Sequence, residues 1–368
     1  MTHQREMTVV AKIGSSTLTD GRGKFRLGPM AGLVAEICDL HSRGHRMLLV
    51  SSGAVSSGMG PLRMTNRPTE VVDLQATAAV GQGRLYHTYS QLFGHEEVVT
   101  AQVLLTTFDV AARTQYLNAR NTLRRLLELG VVPIINENDT TSTDELCFGD
   151  NDILAAQVAL LVGADLLVLL TDTDGLYTAD PTRDSSAEFI AQVDDFRDIA
   201  EVSMESKGAL GLGGMRSKVG AARVATSGGV TTVIARGTRP GVLQACVKGE
   251  PVGTRFAPRD LGLGAFKLWL LYGKPTNGAV IVDAGAARAL RDRGSLLPVG
   301  IVATTGDFEA GQAVTVITEA GSEVAKGIVN YSRSELEIVK GLRSHEVAER
   351  LPQASPEAIH RDYLVLVE

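Results

Sequence analysis

One pattern repeats through roughly the first 245 residues, and it restricts the fold more than any other feature. A short apolar run ends in small polar residues, and a stretch with helical spacing follows. The clearest runs are Thr8–Ile13, Arg46–Val50, Val98–Leu104, Val131–Ile135, Leu166–Leu170 and Thr231–Ala235. Several are continuously apolar rather than alternating, as expected of strands covered on both faces. Between them, Met30, Leu33, Val34, Ile37 and Leu40 keep helical spacing before Gly44, and Leu123, Leu126 and Leu127 do so before Gly130. Residues 152–162 are apolar nearly all round and read as a buried helix. Residues 71–92 mix apolar and small side chains, and read equally as a core helix or an interface. A βαβ series of this kind predicts an α/β fold with a mostly parallel sheet sandwiched by helices.

After about residue 250 the texture changes. Gly and Pro become frequent, helical periodicity fades, and short runs appear at 278–282, 300–304, 313–318, 324–329 and 363–367. A small β-rich second domain is expected. A chain of 368 residues accommodates such a division. The expected limits are 1–258 for the α/β domain, 259–274 for a linker and 275–368 for the second domain.

Composition narrows the function classes. With 44% hydrophobic and 21% charged residues, the chain reads as a globular protein. No apolar run approaches the ~20 residues needed to span a bilayer. The N-terminal MTHQREMTVV lacks a signal-peptide core. Cys38, Cys147 and Cys246 are odd in number and far apart, which argues against a disulfide framework or a zinc site and points to the cytoplasm. A net charge of −6 disfavours a general nucleic-acid binder.

The polar clusters fall at strand ends, where open α/β sheets form ligand crevices. Lys12, in KIGSS, reads either as an edge lysine that snorkels to water or as a cation offered to a phosphate. Ser51-Ser52-Gly53-Ala54 follows the second run and would leave backbone N–H groups free for an anion, or form a plain turn. Asn136-Glu137-Asn138-Asp139 follows the fourth run, and Gly149-Asp150-Asn151-Asp152 opens the buried helix. A helix cap explains one of the last three residues but not all of them. An amino acid substrate would use such a set, with carboxylates for its ammonium group and amides for its carboxylate. Thr171-Asp172-Thr173-Asp174-Gly175 reads alone as an Asp-Gly turn. Gly211-Leu212-Gly213-Gly214-Met215-Arg216-Ser217-Lys218 is a glycine-rich lead into a helix, and it matches neither the Walker A nor the dinucleotide fingerprint. Together, two lysines, a glycine-rich loop and paired acid and amide clusters suit phosphoryl transfer, which is mostly positioning and charge neutralisation. An aspartate between the two lysines would hold both.

The order KIGSS, SSGAV, NEND, GDND, TDTDGLYTADP and GGMRSK resembles the amino acid kinase family over nearly the whole chain, most closely its glutamate 5-kinase branch. VGIVATTGDF resembles part of the PUA domain that many bacterial members carry. The resemblance implies transfer of the γ-phosphate of ATP, with Mg2+, to the side-chain carboxylate of L-glutamate, as the first step of proline synthesis. It also implies inhibition by proline. By motif, Lys12 and Lys218 would stabilise the transferring group and Asp152 would organise them. Ser52, Gly53, Asp139, Asp150 and Asn151 would bind glutamate. Lys12, Thr171, Asp172 and the loop Leu212, Gly213, Gly214, Met215, Arg216, Ser217 and Lys218 would bind ATP. A homo-oligomer and a downstream reductase for the acyl phosphate are the expected partners. The family's loop usually has Thr where this chain has Leu212, so altered nucleotide affinity is expected. Cys147 has no assigned role.

A carboxylate acceptor with a pKa near ~4.3 is ionised at neutral pH and needs no general base. None of the seven histidines lies in these motifs, and none is needed. A sister enzyme acting on aspartate or N-acetylglutamate would use the same lysines. An RNA-binding role for the second domain is disfavoured, because residues 275–368 carry 9 Lys and Arg against 13 Asp and Glu.

Overall fold

The computed structural model describes residues 5–20, 23–106, 109, 113–141, 151–199 and 214–367. The chain divides into two compact units, Met1–Ala265 and Phe266–Glu368.

In the first unit, β1 (Thr8–Ile13) leads through α1 (Ser15–Leu18) and α2 (Leu27–Ser42) to β2 (Arg46–Ser51). Then come α3 (Ala54–Met59), α4 (Val71–His95), β3 (Thr100–Leu105), α5 (Arg113–Glu128), β4 (Val132–Glu137), α6 (Asp152–Val162) and β5 (Leu166–Thr171). The short strands β6 (Leu176–Tyr177), β7 (Phe189–Ile190) and β8 (Gln192–Val193) precede α7 (Met215–Ser227), β9 (Thr231–Arg236), α8 (Val242–Lys248) and β10 (Thr254–Phe256).

An eight-stranded sheet runs in the order β3-β4-β2-β1-β5-β9-β10-β8. Its pairs are parallel except β9 with β10. From β1 the chain adds β2, places β3 at the edge and returns to set β4 between them, then crosses to the other side of β1 to add β5 and β9. Such a reversal opens a crevice at the carboxyl ends of the central strands. Lys12, Ser51, Glu137 and Thr171 all stand at those ends.

The continuous apolar runs are buried on both faces as expected. Val9, Ala11 and Ile13 pack with Met30, Ile37, Leu85, Tyr89 and Phe93 of α2 and α4. The period of two turns Val10 and Lys12 to the opposite face, where α6 packs on β1. Helix α6 buries nearly its whole surface and stops at Gly163, in the left-handed conformation at φ 69. Helices α3 and α4 meet at two glycines. A Cβ on Gly58 would stand 1.9 Å from Thr77 O, and one on Gly81 would stand 1.8 Å from Ala54 O.

The second unit begins with most of α9 (Ala265–Tyr272), a helix inside the stretch expected to be a linker. It continues with β11 (Gly278–Val282), α10 (Ala284–Arg291), β12 (Ile301–Gly306), β13 (Ala313–Thr318), β14 (Glu323–Ile328), α11 (Arg333–Val339), α12 (Ser344–Arg350) and β15 (Leu364–Leu366). Its five-stranded sheet, β12-β11-β13-β14-β15, places the strands where the apolar runs put them. Short helices accompany the expected strands. Helices α10 to α12 are two turns or so each, too short to show a period, and they are set by local caps. Asp283 accepts from Ala286 N, and Ser332 with Glu335 forms a capping box. The unit has its own core of Val280, Val314, Val316, Ala325 and Leu336.

Candidate active site

Lys12 is 1% exposed, which rules out the snorkelling reading. Its Nζ lies 2.6 Å from Asp152 Oδ1, and Lys218 Nζ lies 3.0 Å from Asp152 Oδ2. One carboxylate thus binds two ammonium groups, each on its own oxygen. The three come from separate elements: the end of β1, the first residue of α6 and the first turn of α7. Asp152 is fully buried and Lys218 nearly so. Well-packed apolar residues of similar volume would serve stability as well or better than buried ions. The cluster therefore calls for an explanation in function. The two cations and the anion that bridges them are set at a strand end and screened from bulk water.

Asn151 occupies the N-cap position of α6, but its side chain makes no capping bond. Instead its Nδ2 donates to Ser51 O at 2.7 Å and to Asn136 Oδ1 at 2.5 Å. Asn136 Nδ2 in turn donates to Gln82 Oε1 of α4 at 2.6 Å. This buried amide chain ties together the ends of β2 and β4, the start of α6 and the middle of α4. Ser52 N donates to Ile13 O, holding the turn after β2 against the end of β1. Gly53 follows at φ 110, a left-handed conformation that favours glycine.

These residues enclose a small pocket lined by Ser15, Ser52, Gly53, Arg67, Asn136, Asp139 and Asn151, together with the first residues of α3. The Ser52 hydroxyl is buried and has no hydrogen-bond partner among the described residues. Asp139 is also buried, and desolvation pushes its carboxyl up to about 6, against the opposing pull of the Arg67 guanidinium. Arg67 is exposed by area, yet partial desolvation of its charged end draws its pKa down while Asp139 draws it up. Among the described lining residues, Arg67 is the cation and Asp139 the anion.

Across β1, Thr171 closes β5, with its hydroxyl donating to exposed Asp172 Oδ1 at 3.1 Å. Gly214 caps α7, and Met215, Arg216, Ser217 and Lys218 form its first turn, so the glycine-rich stretch does feed a helix. A second depression lies beyond β5 and β9, lined by Asp174, Tyr177, Phe189, Arg236, Arg239 and Val252. There Asp174 and Arg236 pair through two hydrogen bonds of 2.6 and 3.1 Å, which holds the aspartate below the usual carboxylate range.

The structure thus brings Lys12, Lys218 and Asp152 into one cluster, and Ser52, Gly53, Asp139 and Asn151 into one pocket beside it. Asp150, Leu212, Gly213 and Cys147 lie outside the described residues. Sequence reasoning gave Ser15 only as part of KIGSS and did not single out Arg67. Arg67 sits in an aperiodic stretch before Pro68, which favours an extended backbone there. No local signal shows which wall that stretch forms. Among the described residues no group of three His, Cys, Asp or Glu side chains is gathered to hold a metal ion, and the Asp152 carboxylate is already engaged.

Comparison with known proteins gives the family. Residues 7–236 match the amino acid kinase family, and residues 278–351 match the PUA domain. The chain is 47% identical over 369 residues to a glutamate 5-kinase of Synechococcus sp. (strain JA-3-3Ab), covering 99% of both chains. It is 45% identical over 362 residues to a glutamate 5-kinase of Moorella thermoacetica, covering 98% of this chain and 96% of that one. A solved UMP kinase from Bacillus anthracis shares the fold, with a TM-score of 0.50 at 15% identity over 69% of this chain and 97% of that one. The match over the first unit and the full-length likeness show that the chain belongs to the amino acid kinase family.

Proposed function

We propose that this chain transfers the γ-phosphate of ATP to the side-chain carboxylate of L-glutamate, forming γ-glutamyl phosphate. The observation that carries the reading is the bridging of Lys12 and Lys218 by Asp152. An oxygen of the acceptor carboxylate attacks the γ-phosphorus as the bond to the β-phosphate oxygen breaks, and ADP leaves. The obstacle is repulsion between a carboxylate and a polyphosphate, and a fixed pair of cations relieves it where charge develops. No proton has to be removed from the nucleophile. The dry placement of Lys12 strengthens its interaction with the migrating group.

The pocket of Ser52, Asp139, Asn151 and Asn136 suits glutamate. Thr171, Asp172, the loop before α7 and the depression with Tyr177, Phe189 and the Asp174–Arg236 pair suit the nucleotide. Mg2+ would arrive on the phosphates of ATP. The names of the relatives fit this acceptor, and so does a place at the start of proline synthesis, with proline inhibiting at the glutamate pocket. The product is a labile acyl phosphate, which suits a cytoplasmic homo-oligomer passing it to a reductase.

Hydroxylamine trapping with Mg-ATP tests the reaction, running L-glutamate beside L-aspartate, N-acetyl-L-glutamate and no acid. Hydroxamate formed with L-glutamate alone is expected. A signal with another acid would keep the chemistry and change the substrate. No signal from folded protein that binds ATP would overturn the reading.

A further inference from the structure

We infer that Arg67 is a specificity-determining residue that receives the α-carboxylate of the substrate, opposite Asp139, which receives its ammonium group. The inference rests on the acceptor reading above and deepens it.

An α-amino acid presents one positive and one negative group on a single carbon. The described pocket wall presents one anion and one cation, Asp139 and Arg67, which feel each other's charge. The other polar lining side chains are hydroxyls and amides. The amides of Asn136 and Asn151 bond each other, Gln82 and Ser51 O, which takes up both N–H groups of Asn151 and one of Asn136, so they serve mainly to build the wall. The Ser52 hydroxyl, buried without a partner among the described residues, marks the inner part of the pocket as a place where a polar ligand group belongs. Asn151 is followed directly by Asp152, so the inner end adjoins the lysine cluster, where the reacting carboxylate must lie. The α-carbon then lies toward the outer end, where Arg67 is exposed. A guanidinium binds a carboxylate through a planar fork of two N–H groups, a geometry that lysine does not reproduce.

The test compares the unaltered enzyme with Arg67→Met and Arg67→Lys by hydroxamate formation. The substrates are L-glutamate and L-isoglutamine, which keeps the ammonium and side-chain carboxylate but has a neutral α-carboxamide. A hydrogen bond between charged groups is worth a factor of about 10–100 in affinity. The expected result with R67M is a KM for L-glutamate raised by about that factor with kcat little changed. R67K should recover part of the loss, and the preference for glutamate over isoglutamine should shrink in R67M. An unchanged KM would overturn the inference, as would a fall in kcat alone or an R67K no better than R67M. Hydroxamate from the unaltered enzyme with L-glutamate reports on the underlying reaction separately. Its absence would overturn that reaction and this inference together, whereas its presence with no KM effect in R67M would overturn the inference alone.

Discussion

Lys12 Nζ lies 2.6 Å from Asp152 Oδ1, although the two residues are far apart in the chain and both are shut away from solvent. Replacing the anion with a neutral amide would leave two buried ammonium groups without the carboxylate that bridges them. Asp152→Asn should lower stability by about 3 kcal/mol or more, because breaking a buried pair strands a charge. It should also abolish most of the activity. Urea denaturation beside the hydroxamate assay checks both. A stable but inactive variant would mean that the aspartate acts on the reaction without holding the fold.

Lys12→Ala and Lys218→Ala should each lower kcat by about 10²–10³-fold, the usual cost of losing one group aimed at developing charge. The KM for L-glutamate should move far less, since the contact strengthens only as the phosphoryl group transfers. Steady-state kinetics separate the two effects. A change confined to KM would remove either lysine from the catalytic role.

Asp139 predicts a pH dependence. Burial raises its carboxyl from 3.8 to about 6, with Arg67 opposing the rise. Binding an ammonium group requires the ionised form, so kcat/KM for L-glutamate should fall as pH drops through about 6. Asp139→Asn should lower kcat/KM at pH 8 and remove this limb of the profile. The linkage to folding runs the other way. The folded state holds the proton more tightly than the unfolded one. The stability this lends is therefore fully present below about 3.8 and is lost as pH rises through about 6.

Two glycines on α4 should respond oppositely to alanine. Gly81→Ala puts a Cβ 1.8 Å from Ala54 O, at the start of α3 and beside the pocket, whereas Gly83 has nothing within 4 Å. Overpacking of this kind costs about 1–3 kcal/mol. A helical Gly-to-Ala change at an open site gains up to about 1 kcal/mol. Melting temperatures should fall for G81A and hold or rise for G83A, and G81A should also raise the KM for L-glutamate. Equal behaviour would mean that α3 and α4 can separate at no cost.

Every described site residue lies in the first unit. Chains ending near residue 265 should therefore keep most of the hydroxamate-forming activity. A folded truncation with none would mean that the second unit completes the site.

How much was legible in the sequence differs from element to element. The strands were, because runs such as Leu166–Leu170 are apolar throughout and stop at small polar residues. Their structural limits differ from the expected ones mainly where a polar end, such as Asn136-Glu137 or Thr171, continues the ladder. Helices α10 to α12 were not, because two turns are too few to establish a period, and caps rather than periodicity define them. Pro68 constrained the backbone at Arg67 but carried no information about which wall that residue would join.

By itself, then, the sequence determined the α/β series, the second β-rich unit, the polar character of each strand end and the motifs that mark the family. Those are properties of spacing and residue type, and they act over a few residues at a time. The resemblance implied that Asp152 organises Lys12 and Lys218, but only the tertiary structure decided that each lysine takes its own carboxylate oxygen, that Asn151 turns away from capping to bond Asn136, and that Arg67 and Asp139 line one pocket. The first two depend on which face of the sheet α6 covers, and the third on where the chain between α3 and α4 runs past the end of β4. Such long-range pairings are set by burial of the whole chain, and no local pattern encodes them.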